Sequence, residues 1–184
     1  MGWIIVVIAL LVAIGPVLYL IPSKRDRRLA RLRQQAKLTG FIVELHPVRQ
    51  TNPELADRVT AGGQVRTPTH PSVAYTLRLT RKIQHLSLWR VLRDEHSTTP
   101  IAGWQLDQGE PESLKALPGL LDALPEDVVG VELKRMAFTC FWLENPPAAE
   151  AEVDGLKATM EAIIRRVLEE DEARDRTEDD DEIS

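Results

Sequence analysis

The chain has 184 residues, 43% hydrophobic and 28% charged, with a formal net charge of −5. That length holds one domain with appendages, the charged fraction excludes disorder throughout, and the acidic balance excludes a general nucleic-acid binder, which carries a basic surface. A single cysteine excludes an internal disulfide framework and a four-cysteine zinc site.

The charge is strongly partitioned. Gly2 to Ile21 carries no formal charge, Lys24 to Lys37 has a local charge of +6, Glu169 to Ser184 has −8, and the remainder has −3. The chain therefore reads as an apolar segment (1–22), a basic collar (23–40), a mixed α+β domain (41–168) and an acidic tail (169–184).

The apolar segment has the length of a transmembrane helix, about 20 residues for about 30 Å of hydrocarbon. Trp3 and Tyr19 lie about 24 Å apart along such a helix, which places an amphipathic ring near each interface. A cleaved signal peptide would carry its positive charge before the apolar run and small residues after it. Here the charge follows the run, and Leu20-Ile21-Pro22-Ser23 is a poor cleavage site. Because basic residues stay cytoplasmic, Lys24, Arg25, Arg27, Arg28, Arg31 and Arg33 orient the N-terminus outward and leave the rest in the cytoplasm. In a bacterium this is a single-pass protein of the inner membrane.

The collar reads as a separate juxtamembrane helix. Ser23 and Asp26 have capping-box spacing, and Gly40 suits the C-terminal end. Leu29, Leu32 and Ala36 share a face, and the arginines cover the rest. Such a helix lies on anionic headgroups, gaining about 1 kcal/mol per basic residue, or it only enforces topology. Without interleaved aromatics it is not a nucleic-acid arm.

Alternation predicts strands around residues 41–46, 73–80, 86–92, 102–106, 129–133 and 138–142, the last two as a hairpin. Leu114, Leu117, Leu121 and Leu124 share a helical face that Pro118 splits in two. A final helix runs from about Ala148 to Arg174, with Val153, Leu156, Met160, Ile163 and Val167 as its apolar stripe. This order predicts an antiparallel sheet packed by helices on one face. Residues 47–71, rich in Pro and Gly, read as an exposed loop that is disordered or functional. The acidic tail reads as a solvated, disordered end.

Motifs that carry chemistry are missing. There is no phosphate-binding glycine loop, no G-x-S-x-G, no H-E-x-x-H and no C-x-x-C. His46, His70, His85 and His96 are scattered. Cys140, between aromatics on a strand, reads as a small buried apolar side chain. Asp94-Glu95-His96-Ser97 reads as a charged turn, because triads assemble from separate segments. No catalytic residue, cofactor site or metal site is expected.

The span from Gly2 to Ile21 followed by Lys24-Arg25-Asp26-Arg27-Arg28 resembles the YajC family, the small accessory subunit of the bacterial preprotein translocase. After these residues the two diverge, since this chain has Pro22-Ser23-Lys24 at the junction and a longer domain. The resemblance implies a non-catalytic helper of a membrane complex. The expected function is thus an interaction or accessory module tethered to the lipid bilayer, with a membrane-protein partner and no nucleic acid. The alternatives are a tethered ligand-binding or sensory domain with the 47–71 loop as a lid, and an enzyme with an unfamiliar site using His96 or Cys140.

Overall fold

The computed structural model describes residues 2–3, 23–59, 62–98, 101–114, 117–146, 148 and 150–182. Helix α1 (Lys24–Leu38) leads into strands β1 (Ile42–Leu45), β2 (Val48–Arg49), β3 (Thr69–His70), β4 (Val73–Arg78), β5 (Trp89–Arg93) and β6 (Trp104–Gln108). A 3-10 turn at Pro111–Leu114 and the short helix α2 (Pro118–Leu121) precede β7 (Val128–Lys134), β8 (Ala137–Trp142) and the long helix α3 (Glu150–Glu182). Six strands form one antiparallel sheet in the order β1-β4-β8-β7-β5-β6, with the β7–β8 hairpin at its centre. The protein is α+β, with an antiparallel sheet and a C-terminal helix.

Period-two alternation decides which side chains meet the helices. Val73, Tyr75 and Leu77 of β4 and Phe138, Cys140 and Trp142 of β8 point into the main core. Leu32 and Ala36 of α1, Leu121 of α2 and the α3 stripe Val153, Leu156, Met160, Ile163 and Val167 close over them. Burying a side chain of this kind stabilises by roughly 1.5–3 kcal/mol. Tyr75 sits edge-on between Phe41 and Trp142, with centroids 5.6 and 5.3 Å away, a favoured aromatic geometry.

The opposite face carries a smaller cluster of Ala74, Leu92 and Phe141, covered by Val48 from β2. His46 stacks on Phe141 at 5.2 Å. Beside them, Glu132 holds Arg90 at 2.5 Å and Lys134 at 2.9 Å. Gly109 ends β6 with φ +99°, and a Cβ there would run into the Leu88 carbonyl and the Trp89 backbone.

Three sequence expectations change. Residues 47–71 are not a bare loop: β2 and β3 pair through Val48–His70 and Arg49–Thr69, and Val48 is buried. Two-residue strands are too short to show alternation, and their pairing spans about 20 residues of sequence. The collar (23–40) is not separate from the domain, because Leu32 and Ala36 are wholly buried in its core. The disordered tail at 169–184 is also displaced. Helix α3 continues through Glu182, and Asp171 is fully buried where Gln84, His85 and Leu86 donate backbone N–H bonds to its carboxylate. Acidic composition suggested solvation there, but three backbone donors and Arg81 satisfy that carboxylate inside the fold. The expected span (1–22), Tyr19 included, lies outside the described residues apart from Gly2 and Trp3. No helix among the described residues is long and apolar enough to cross a membrane.

Candidate functional site

Helix α1 is fixed at its first residue. The Asp26 backbone N–H donates to Ser23 Oγ at 3.1 Å, and the Asp26 carboxylate accepts from the Ser23 N–H and hydroxyl at 3.1 and 2.7 Å. These bonds, led by the one from the Ser23 hydroxyl, hold the Asp26 carboxyl below its ordinary value. The capping box expected from the sequence is thus formed, and it sets the helical phase of every residue that follows.

That phase separates the basic residues by role. Lys24, Arg27, Arg28 and Arg31 follow i, i+3, i+4, i+7 spacing and fall on one stripe. They line a groove of about 570 Å³ against Ala148, Glu150 and Ala151, where α3 begins. Lys24, Arg27 and Arg31 are exposed and have no ion-pair partner among the described residues. Arg28 forms the groove's inner wall, donating to the Ala148 carbonyl at 3.0 Å and the Glu144 carbonyl at 3.2 Å. The first-turn N–H groups of α3 lack intrahelical acceptors, as at any helix start. The groove therefore joins three cations without ion-pair partners among the described residues to the positive end of a helix dipole, at a first turn that also carries Glu150 and Glu152.

The remaining expected interface residues lie elsewhere. Arg33 grips Glu144 in a two-pronged ion pair, with Nε–Oε1 at 2.9 Å and Nη2–Oε2 at 2.5 Å. Tyr75 donates its hydroxyl to Glu144 Oε1 at 2.6 Å. The Glu144 hydrogen bond raises the Arg33 guanidinium above its ordinary value. Burial first, and the Glu144 carboxylate second, push the Tyr75 phenol far up. Glu144 is a non-glycine residue at φ 56°, a left-handed conformation held by these contacts. Arg28 and Arg33, expected at the bilayer surface, thus have partners inside the protein. The sequence named them as basic but gave no sign of Glu144 or Ala148, which lie more than 110 residues away. Arg25 and Trp3 are exposed, and Arg25 is outside the groove.

A second concavity, of about 340 Å³, lies where residues 50–52 meet the β5–β6 turn. It brings together His70, Arg93, Asp94, Glu95 and His96. Asn52 donates to Asp94 Oδ1 at 2.5 Å, and Thr51 donates to the Arg93 carbonyl at 2.9 Å. Burial lowers the His70 imidazole from its ordinary value. Arg93 packs over Trp104 at 4.5 Å and donates to the Val128 and Pro125 carbonyls, so it is part of the framework. Asp94, Glu95, His96 and Ser97 form a turn, with Ser97 N–H on the Asp94 carbonyl at 3.0 Å. The Asp94 carboxylate accepts from the His96 backbone N–H at 3.0 Å, and its Oδ1 lies 3.7 Å from Nδ1 of the His96 imidazole. Among the described residues no cluster of His, Cys, Asp and Glu could hold a metal ion. Cys140 is wholly buried, and burial pushes its thiol far up, which suppresses thiolate chemistry.

Compared with protein-family models, curated proteins and solved structures, the chain finds no match.

Proposed function

We propose that this chain is a single-pass inner-membrane protein whose cytoplasmic α+β domain is a non-catalytic interaction or accessory module of a membrane complex. The apolar run from Gly2 to Ile21, with basic residues only on its C-terminal side, supports the tether and its orientation. One structural observation carries the reading further. The helix that follows this run is part of the domain core, through buried Leu32 and Ala36 and through the Arg33–Glu144 pair. A domain joined in this way presents a fixed face to the bilayer and a fixed opposite face to a partner. The layout shared with YajC makes the preprotein translocase the first complex to probe.

The test is fractionation of the full chain with alkaline extraction, followed by affinity purification from membranes in mild detergent and mass spectrometry. Retention in the alkaline-resistant membrane fraction, lost when residues 2–21 are removed, is the expected result for the tether. A stoichiometric membrane partner is the expected result for the module. A chain that is extracted as a peripheral protein overturns the first, and a clean purification without any partner overturns the second.

The concavity at His70, Asp94 and His96 favours one alternative, a tethered ligand-binding domain. Its volume is within the usual small-molecule range of about 300–1,000 Å³. A metabolite that raises Tm in the wild type and not in His70→Ala/His96→Ala would establish it.

A further inference from the structure

We propose that the groove between α1 and the start of α3 is a binding site for a single phosphate group, supplied by the headgroup of an anionic phospholipid. The proposal rests on the tethered reading for the source of the phosphate and on the groove alone for its chemistry.

Three observations converge on this ligand. Lys24, Arg27 and Arg31 line the groove as exposed cations without ion-pair partners among the described residues. Lone surface cations normally gain little from neighbours, yet here three share one concavity and can act on one anion together. The concavity ends on the first turn of α3, whose N–H groups and dipole favour a phosphate oxygen. Its position is also set rigidly. Arg28 bridges from α1 to the Ala148 and Glu144 carbonyls, so the two walls cannot separate without breaking those bonds. Lys24, which lines the groove, stands two residues beyond Pro22, where a chain leaving a bilayer is at headgroup depth.

One rimming residue works against an anion. Glu150 lines the groove with its carboxylate. It sets the affinity low enough for headgroup exchange, and its neutralisation tightens binding.

The experiment is native mass spectrometry of the full chain released from detergent, with phosphatidylglycerol or phosphatidylcholine added and with inorganic phosphate as competitor. The expected result is one phosphatidylglycerol retained per chain and no phosphatidylcholine. Lys24→Gln/Arg27→Gln/Arg31→Gln should weaken retention roughly a hundredfold, at the usual contribution of each basic residue near an anionic surface. Lys82→Gln/Arg135→Gln/Arg165→Gln removes the same charge from exposed positions outside the groove and should leave retention unchanged. Glu150→Gln should strengthen it, a change of opposite sign that a folding defect cannot mimic. Equal weakening by both triple variants means diffuse charge attraction and overturns the site. Displacement by millimolar inorganic phosphate keeps the phosphate site and overturns the lipid as its source. A chain that fails alkaline-resistant membrane retention but binds phosphate through these three residues overturns the tether while supporting the groove. A membrane-retained chain whose lipid binding ignores them does the reverse.

Discussion

Arg33 and Glu144, 111 residues apart in sequence, meet in a two-pronged ion pair whose Nη2–Oε2 distance is 2.5 Å, with Tyr75 completing the carboxylate's shell. Glu144 is 2% exposed. Removing its carboxylate strands a guanidinium and a buried phenol together. Glu144→Ala should destabilise by about 3 kcal/mol, whereas Tyr75→Phe should cost about 1 kcal/mol. Chemical denaturation of the two variants beside the wild type checks the ordering. Equal effects would show that the phenol, not the ion pair, anchors this corner.

Asp171 makes a prediction about pH. Burial disfavours its charge, but the N–H groups of His85, Leu86 and Gln84 and the Arg81 guanidinium outweigh that and hold its carboxyl below the ordinary value. A depressed folded-state pKa stabilises the fold above the unfolded value of about 3.9, and that contribution is lost as pH falls through the folded value. Asp171→Asn should therefore lower Tm at pH 7, and its deficit should narrow below about pH 4. A deficit independent of pH would mean that the carboxylate's charge contributes nothing. Truncation after Leu168 should destabilise similarly, because it removes Asp171.

Two glycines predict opposite signs. At Gly109 the backbone is left-handed and a Cβ has no room against Leu88 and Trp89, so Gly109→Ala should destabilise by more than about 1 kcal/mol. Gly155 lies within α3 with nothing near its absent Cβ. Gly155→Ala should stabilise by up to about 1 kcal/mol through helix propensity alone. Thermal melts of both variants settle the signs.

Hydrogen exchange tests the pairing within residues 47–71. The Gln50 amide donates to the Pro68 carbonyl at 3.0 Å and the Arg66 amide to the Arg58 carbonyl at 2.8 Å. Both should exchange more slowly than free-chain rates. Free-chain exchange at both positions would return residues 47–71 to the status of an unstructured loop.

The long elements were legible because each repeats its pattern several times. Val73, Tyr75 and Leu77 announce β4, and five apolar residues from Val153 to Val167 announce α3. The split of the Leu114–Leu124 stretch at Pro118 was legible too, since proline lacks the donor a continuous helix needs. What stayed hidden depends on pairs with no local signature. Nothing near Asp171 in sequence marks it as the acceptor for a loop 85 residues upstream, and its acidic neighbours point the other way. The basic stretch showed where cations concentrate. Only the packing of α1 against β1 and α3 separates Arg33, which holds the fold together, from Lys24, Arg27 and Arg31, which have no ion-pair partner among the described residues.

The absence of slack between α1 and the sheet has a mechanical consequence. A pull applied at Ser23 enters the fold through the Arg28 and Arg33 bonds to Glu144, two residues past the end of β8, a central strand. Among the described residues no swivel intervenes between Ser23 and the sheet, so tilting or lifting α1 tilts or lifts the whole sheet with it. The domain then moves with α1 as one lever arm, so a rotation of that helix is carried to the far face of the sheet.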